Sequence, residues 1–310
     1  MEYQEIKKGS QEYPVISCVL YTYNRTNVLP RAIKSVLAQT YTNFELIISD
    51  DCSTDDTKGL VESFQDERIV YTKTPKNLGS SGNKNWGIKK ARGRFIVMLD
   101  DDNTFEPTYF QESVDLLDGS LPDVGGVRVG RLIVQEGGFT DYAPPITHTG
   151  FDSIDWGFLM KREVFENCWY DEKCRGDEDA DFGIQFAKHW QTLPIDKPLQ
   201  TSYAVDEGST CMPTPRRLEG LEYFIAKNLA DYKKDNNELR YLYRLAGRYH
   251  YRGGNRLKGL KYFWLSLLAK PNVKTFMHLF WILWGWKVYN AYMDSQERKG
   301  ASLRLKEHGL

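Results

Sequence analysis

The sequence predicts an α/β protein with a mixed, mostly parallel sheet and a helical C-terminal extension. Three observations lead there. Short apolar runs at residues 15–20, 44–49 and 95–99 alternate with segments of helical apolar spacing, as βαβ units require. Two of these runs end abruptly in carboxylates, at Asp50 and Asp51 and again at Asp100, Asp101 and Asp102. After about residue 212 the strand-like runs stop and helical patterns take over.

Residues 1–13 read as a polar lead-in, and the β-branched run 15–20 as the first strand. Leu29, Ile33, Val36 and Leu37 share one helical face, with Pro30 suited to the first turn. Residues 44–49 form the second strand. The run from Ser53 to Asp56 then caps a helix through Leu60, Val61 and Phe64. A short strand at 69–71 follows, then a loop over 77–83 that leads into a helix through Trp86 and Ile88. Tyr109, Phe110, Val114 and Leu117 mark the helix after the triple aspartate, and 124–134 is strand-like. Residues 135–155 are rich in loop formers. A short helix is expected over 162–167, and a second acidic stretch, 171–181, runs into a helix bearing Phe182, Ile184 and Phe186.

In an open α/β sheet ligands bind beyond the carboxyl ends of the strands. Both acidic strand ends fall on that edge. Clustered carboxylates repel unless a cation neutralises them, and hard oxygen donors select magnesium or manganese. The competing reading is a helix start at Asn103 or Thr104 ahead of Pro107. Strand alternation would turn Asp100 and Asp102 one way and Asp101 the other. Some of the aspartates in 171–181 are also expected simply to cap a helix.

Composition narrows the class. The chain has 310 residues, 41% of them hydrophobic and 27% charged, enough for one large domain with an appendage. A formal net charge of −1 argues against a nucleic-acid binder acting through global electrostatics. The odd set Cys18, Cys52, Cys168, Cys174 and Cys211 has no CxxC pair, which points to a reducing, cytoplasmic setting and away from structural zinc. The polar N-terminus lacks the apolar core of a secretory leader.

Beyond residue 212, patterns at 238–251 and 257–269 predict a helical hairpin about Gly253 and Gly254. Ala246, Gly247, Gly259 and Ser266 would permit close packing. Residues 273–293 form the most apolar segment, interrupted by Lys274, His278 and Lys287, with Arg298, Lys299, Arg304 and Lys306 beyond it. That composition suits two readings, a core helix whose apolar face packs on the hairpin and a helix lying in a membrane interface at the inner face of the cell membrane. A domain division at 1–212 and 213–310 follows.

Five ordered segments resemble those of family 2 glycosyltransferases of the GT-A nucleotide-sugar-binding fold. They are 19–25, 48–55, 77–87 (with Lys84 where arginine is commoner), 99–103, which resembles the metal-binding DXD element, and 176–181. The resemblance covers about residues 14–190. It implies that Tyr21, Tyr23 and Asp51 line the nucleotide pocket, Lys84 lies near the diphosphate or its ribose, and Asp101 touches ribose or sugar hydroxyls. It further implies that Asp102 ligates Mn2+ or Mg2+, that Asp179 is the catalytic base, and that Glu178 lies close to the acceptor. Trp156 and Gly157 stand where the family often contacts sugar or acceptor.

The implied reaction is inverting transfer from a nucleotide-diphosphate sugar, UDP-sugar being favoured, to a saccharide or lipid-linked acceptor in bacterial surface-polysaccharide or glycolipid synthesis. One departure is the lack of histidine in 201–210, where relatives commonly carry one that helps hold the metal or diphosphate; either Asp206 or Ser209 substitutes for it or the site binds metal weakly. Two alternatives are a sugar nucleotidyltransferase, disfavoured because the loop 21–25 lacks glycine, and a non-catalytic binding protein on the same fold.

Overall fold

The computed structural model describes residues 14–134, 140–145, 157–203, 214–283 and 288. Its chain order is β1 (Ile16–Thr22), α1 (Leu29–Leu37), β2 (Phe44–Asp50), α2 (Thr57–Glu62), β3 (Ile69–Lys73), α3 (Gly79–Lys90), β4 (Phe95–Asp100) and β5 (Asn103–Phe105). There follow α4 (Tyr109–Leu117), β6 (Val124–Val134), β7 (Thr140–Ala143), β8 (Phe158–Lys161), a 3₁₀ turn (Arg162–Glu166), α5 (Glu178–Ala187) and β9 (Gln191–Tyr203). The C-terminal part holds α6 (Pro215–Tyr232), α7 (Asn236–Arg252), α8 (Arg256–Ala269) and α9 (Val273–Leu283).

One sheet runs β3-β2-β1-β4-β8-β6-β9-β5, with β7 hydrogen-bonded to β6. The β3-β2-β1-β4 part is parallel, whereas β8 is antiparallel to both β4 and β6. Period-two alternation divides the apolar side chains between two layers. Ile16, Cys18 and Leu20 of β1 face a cluster with Leu29, Ile33 and Val36 of α1. Val19, Ile47, Ile96 and Met98 face the other way, onto Ile88, Phe182 and Phe186. Because both faces are covered, β1, β2 and β4 read as near-continuous apolar runs, interrupted by Ser17 in β1 and Glu45 in β2.

The helical extension packs on this body. Cys174 and Ile184 join Leu221, Phe224 and Ile225 of α6, and Leu242, Ala246 and Tyr262 of the α7–α8 hairpin, in a third core. Gly247 and Gly259 permit the hairpin's close contact: a Cβ on either would come within 2.9 Å of Phe263 or 2.8 Å of Tyr251.

Several elements depart from the sequence expectation. The 77–83 segment is already helical from Gly79. The 103–105 segment is a strand, β5, pairing antiparallel with β9, and not the start of a helix. The long strand β9 was not foreseen. It carries Pro194 and Pro198, and its register on β6 slips around Gly130, so that Asp196 and Lys197 bulge out between the paired Ile195 and Pro198. Proline is tolerated in a strand at such a bulge.

Candidate active site

The carboxyl ends of β1, β2 and β4 lie side by side, since β1 pairs in register with both neighbours: Tyr21 lies between Ser49 and Asp100. The side chains these strands present form three groups.

The first gathers around Lys84. Its side chain is 2% exposed, its Nζ donates to Asp179 Oδ1 at 2.7 Å, and the ammonium sits 4.9 Å from the ring centre of Tyr21 and 4.8 Å from that of Tyr170. The Tyr21 hydroxyl in turn donates to Asp100 Oδ1, and Asn103 Nδ2 donates to Asp100 Oδ2 at 2.8 Å. A buried ammonium needs both an anion and polarisable surroundings; here Asp179 and two aromatic faces supply them. Asn83 fixes the helix that carries Lys84. It accepts from Ser49 Oγ at 2.6 Å and donates to Ser49 O at 2.9 Å.

The second group is Asp101, Asp102 and Arg25. One guanidinium spans both carboxylates, at 2.9 Å to Asp101 Oδ1 and 2.9 Å to Asp102 Oδ2. Thr22 Oγ1 donates to the other oxygen of Asp101 at 2.7 Å. The expected alternation does not extend past Asp100, because β4 ends there and the chain turns, which brings Asp101 and Asp102 onto the same partner. Burial pushes the Asp101 carboxyl up to about 7 against the opposing pull of Arg25 and Thr22. Asp102 is the more open of the two, its side chain 23% exposed.

The third group belongs to Asp51. It is buried, and both its oxygens are engaged: Leu78 N at 2.7 Å and Thr74 Oγ1 at 3.1 Å on one, Gly79 N at 2.8 Å on the other. It therefore holds the start of α3 and, through that helix, Lys84. Asp50 has a comparable task, accepting from Ser53 N at 2.8 Å and from the Tyr71 hydroxyl at 2.5 Å.

At the start of α5, Glu178 is buried and accepts from the backbone N–H of Gly176, while Asp179 reaches Lys84. Asp177 behind them takes a two-pronged ion pair from Arg217 of α6, at 2.7 and 2.9 Å. Asp181 faces away, binding Lys227 Nζ at 2.8 Å and Asn228 Nδ2 at 2.8 Å. Gly176 has φ +79°, and a Cβ there would lie 2.3 Å from an Arg217 nitrogen, so the turn into α5 requires glycine.

Tyr23 is 44% exposed beside the β1 end. Gly157, at φ +52°, lies against β6, where a Cβ would meet Val129 at 2.4 Å. Trp156, Asp206 and Ser209 lie outside the described residues. Arg25, Thr22 and Tyr170 were not foreseen as site residues; a lone arginine closing the first strand's loop, on the edge that carries three aspartates, was the signal for Arg25.

The carboxylates at the β4 end are hard oxygen donors on one turn and Asp102 is partly open to solvent, which fits a divalent cation in competition with the Arg25 guanidinium that lies 2.9 Å from both Asp101 and Asp102. A second acidic group does not fit as well. Asp171, Cys174 and Asp181 bring donor atoms within 4.8 Å of one another. The Lys227 ammonium already lies 2.7 Å from Asp171 and 2.8 Å from Asp181, and burial raises the Cys174 thiol far above the range where a thiolate forms.

Comparison with known proteins bears on the whole arrangement. The sequence profile described as Glycosyl transferase family 2 matches residues 17–171, half of the chain. A GalNAc(5)-diNAcBac-PP-undecaprenol beta-1,3-glucosyltransferase of Campylobacter jejuni is 43% identical over 93 residues, covering 29% of this chain and 30% of the relative. The UDP-Glc:alpha-D-GlcNAc-diphosphoundecaprenol beta-1,3-glucosyltransferase WfaP of Escherichia coli is 34% identical over 104 residues, 34% of this chain and 41% of the relative. The match thus spans well under half the length of these curated relatives. Among solved structures, S. aureus TarS 1-349 in complex with UDP-GlcNAc superposes with a TM-score of 0.59 at 13% identity, covering 90% of this chain and 92% of that one. The mannosyltransferase PcManGT from Pyrobaculum calidifontis, in complex with GDP-Man and Mn2+, gives 0.60 at 16% identity, over 94% and 87%. At those identities the likeness shows a common fold, the GT-A type.

Proposed function

The chain belongs to glycosyl transferase family 2, and from that premise we propose that it moves a sugar from a nucleotide-diphosphate donor, UDP-sugar in the first instance, to an acceptor hydroxyl with inversion at the anomeric carbon. The observation that carries this reading is the convergence of Asp179, Lys84 and Tyr21 on the edge that also carries Asp101 and Asp102.

An acceptor hydroxyl is a weak nucleophile, so a positioned carboxylate must take its proton during attack. Asp179, at the N-terminal turn of α5 and 28% exposed, is placed for that role. The hydroxyl oxygen bonds to C1 of the sugar, the C1–O bond to the diphosphate breaks, and the nucleoside diphosphate departs with the bonding pair. Lys84 offers a buried positive charge for the diphosphate, and Tyr21 and Tyr23 offer aromatic surface for the base. Asp51 acts by fixing the first turn of α3, and Asp101 offers a carboxyl for donor hydroxyls. Asp102 would hold Mn2+ or Mg2+. Such an ion, when bound, neutralises the charge that builds on the leaving diphosphate.

The relatives' names describe diphosphoundecaprenol-linked substrates, and we extend that acceptor class, lipid-linked saccharides for surface polysaccharide or glycolipid, to this chain. A cytoplasmic protein at the inner face of the membrane suits such an acceptor. No helix among the described residues is long and apolar enough to cross a membrane. Val273, Phe276 and Phe280 of α9 are 75%, 56% and 47% exposed, which supports peripheral contact through residues 273–293. Residues 1–212 form the catalytic domain in this reading and 213–310 the helical region that docks it. Titration of the protein with UDP, GDP and dTDP in the presence of Mn2+ tests the donor half: binding of one of them, weakened at least tenfold by Asp102→Ala, is expected, and the absence of binding by all three contradicts it.

A further inference from the structure

We infer that the cleft between the N-termini of α3, α5 and α6 binds a phosphate or diphosphate group of the acceptor, with Arg175 and Arg216 as its cationic ligands. This rests on the glycosyltransferase reading and names the chemistry of its second substrate.

The cleft has a volume of about 250 Å³ and is walled by the first residues of three helices: Gly79, Ser80 and Ser81 of α3, Glu178 of α5, and Thr214, Arg216 and Arg217 at the start of α6. Each helix start turns the positive end of its dipole toward the space. Asp51 already satisfies Gly79 N at 2.8 Å, and the Thr214 hydroxyl accepts from Arg217 N at 3.2 Å, so helix ends alone do not make the site. The arginines do. Arg175 and Arg216 are exposed on the lining, and among the described residues neither takes part in an ion pair. Arg217, 7% exposed, stands behind them; its terminal nitrogens are committed to Asp177, while its Nε has no hydrogen-bond partner among the described residues.

The acids on the wall count against an anion, and there are two. Glu178 accepts from Gly176 N–H, and Glu172 is an exposed carboxylate on the rim whose removal is expected to favour the anion. The volume is below the roughly 300–1,000 Å³ of drug-sized sites, which suits a compact anion better than a nucleotide. Position gives the chemistry its meaning. Glu178 lines the cleft and the adjacent Asp179 reaches Lys84, so an anion held here lies one residue along α5 from the proposed base. A forked guanidinium is the side chain best shaped for phosphate oxygens.

The test uses the full chain in metal-free buffer and follows inorganic pyrophosphate by calorimetry, first without UDP and then with UDP at saturation, so that binding in the donor pocket is told apart from binding in the cleft. Pyrophosphate is expected to bind, to weaken at least tenfold in Arg175→Gln/Arg216→Gln, and to tighten in Glu172→Gln, with UDP affinity unchanged in both. Geranyl diphosphate and glucose 1-phosphate run alongside: tighter binding of the first assigns the group to a lipid carrier, and tighter binding of the second to a soluble sugar phosphate. No binding, binding that UDP displaces, or binding unaltered by the arginine substitutions overturns the inference. Failure of UDP itself to bind counts against the donor reading and leaves the pyrophosphate result to be judged separately.

Discussion

Lys84 Nζ donates to Asp179 Oδ1 at 2.7 Å, joining the middle of α3 to the first turn of α5 across 95 positions of chain. The pair links the group proposed to meet the donor's diphosphate with the group proposed to activate the acceptor. Replacing Asp179 by Asn keeps the shape and removes the base. Transfer is expected to fall by about 10²–10⁴ in kcat, the usual worth of a general base, while donor affinity measured by calorimetry stays within severalfold. An equal loss in donor affinity would mean that Asp179 acts by organising the donor pocket.

Arg25 holds Asp101 and Asp102 together, each at 2.9 Å. Removing it by Arg25→Met leaves adjacent carboxylates with less positive charge between them. The metal-free variant is expected to lose about 1–3 kcal/mol of stability, and Mn2+ is expected to raise its melting temperature more than that of the unmodified protein. A smaller shift on adding Mn2+ would show that Arg25 helps to build the ion site and does not compete with it.

The ion pair of Asp177 with Arg217 is buried, each side chain 8% exposed. Burial raises the Asp177 carboxyl and Arg217 opposes that rise. Breaking one side strands a charge: Arg217→Met is expected to cost about 3–5 kcal/mol in denaturant unfolding, and Asp177→Leu/Arg217→Met to recover part of it. The same pair fastens α6 to the turn that presents Asp179, so the single variant should also lose transfer activity.

Much of this arrangement was legible in the sequence, for physical reasons. The strands β1, β2 and β4 are covered on both faces, so each appears as a mostly apolar run, broken by Ser17 in β1 and Glu45 in β2, and the carboxylates that end β2 and β4 stand out. The first turn of α3 was hidden because Gly79, Ser80 and Ser81 are poor helix formers; Asp51, 28 positions away, holds the turn through Leu78 N and Gly79 N. Strand β9 was hidden by Pro194 and Pro198, which only a bulge against β6 accommodates. The turn after Asp100 altered which aspartates share a partner. Nothing in local pattern could pair Lys84 with Asp179, since only tertiary packing brings α3 and α5 together.

His278 of α9 stacks on Phe263, ring centres 5.3 Å apart, and burial beside Arg248 and Arg244 pushes it down to about 3. Its ordinary value is 6.5. Between those limits the unfolded chain binds a proton that the folded chain does not, so stability is fully present above pH 6.5 and is lost as pH falls toward 3. The slope is about 1.4 kcal/mol per pH unit from this one group. Melting temperature should therefore decline more steeply below pH 6.5 in the unmodified protein than in His278→Phe; parallel curves would contradict the assignment.

The most direct test of the central claim is nucleoside diphosphate release from a panel of UDP-, GDP- and dTDP-sugars with Mn2+, run beside Asp179→Asn and Asp102→Ala. Slow turnover of one donor class is expected, with UDP-sugars favoured, strongly reduced by either substitution. Turnover of no donor, or turnover indifferent to both substitutions, would contradict it.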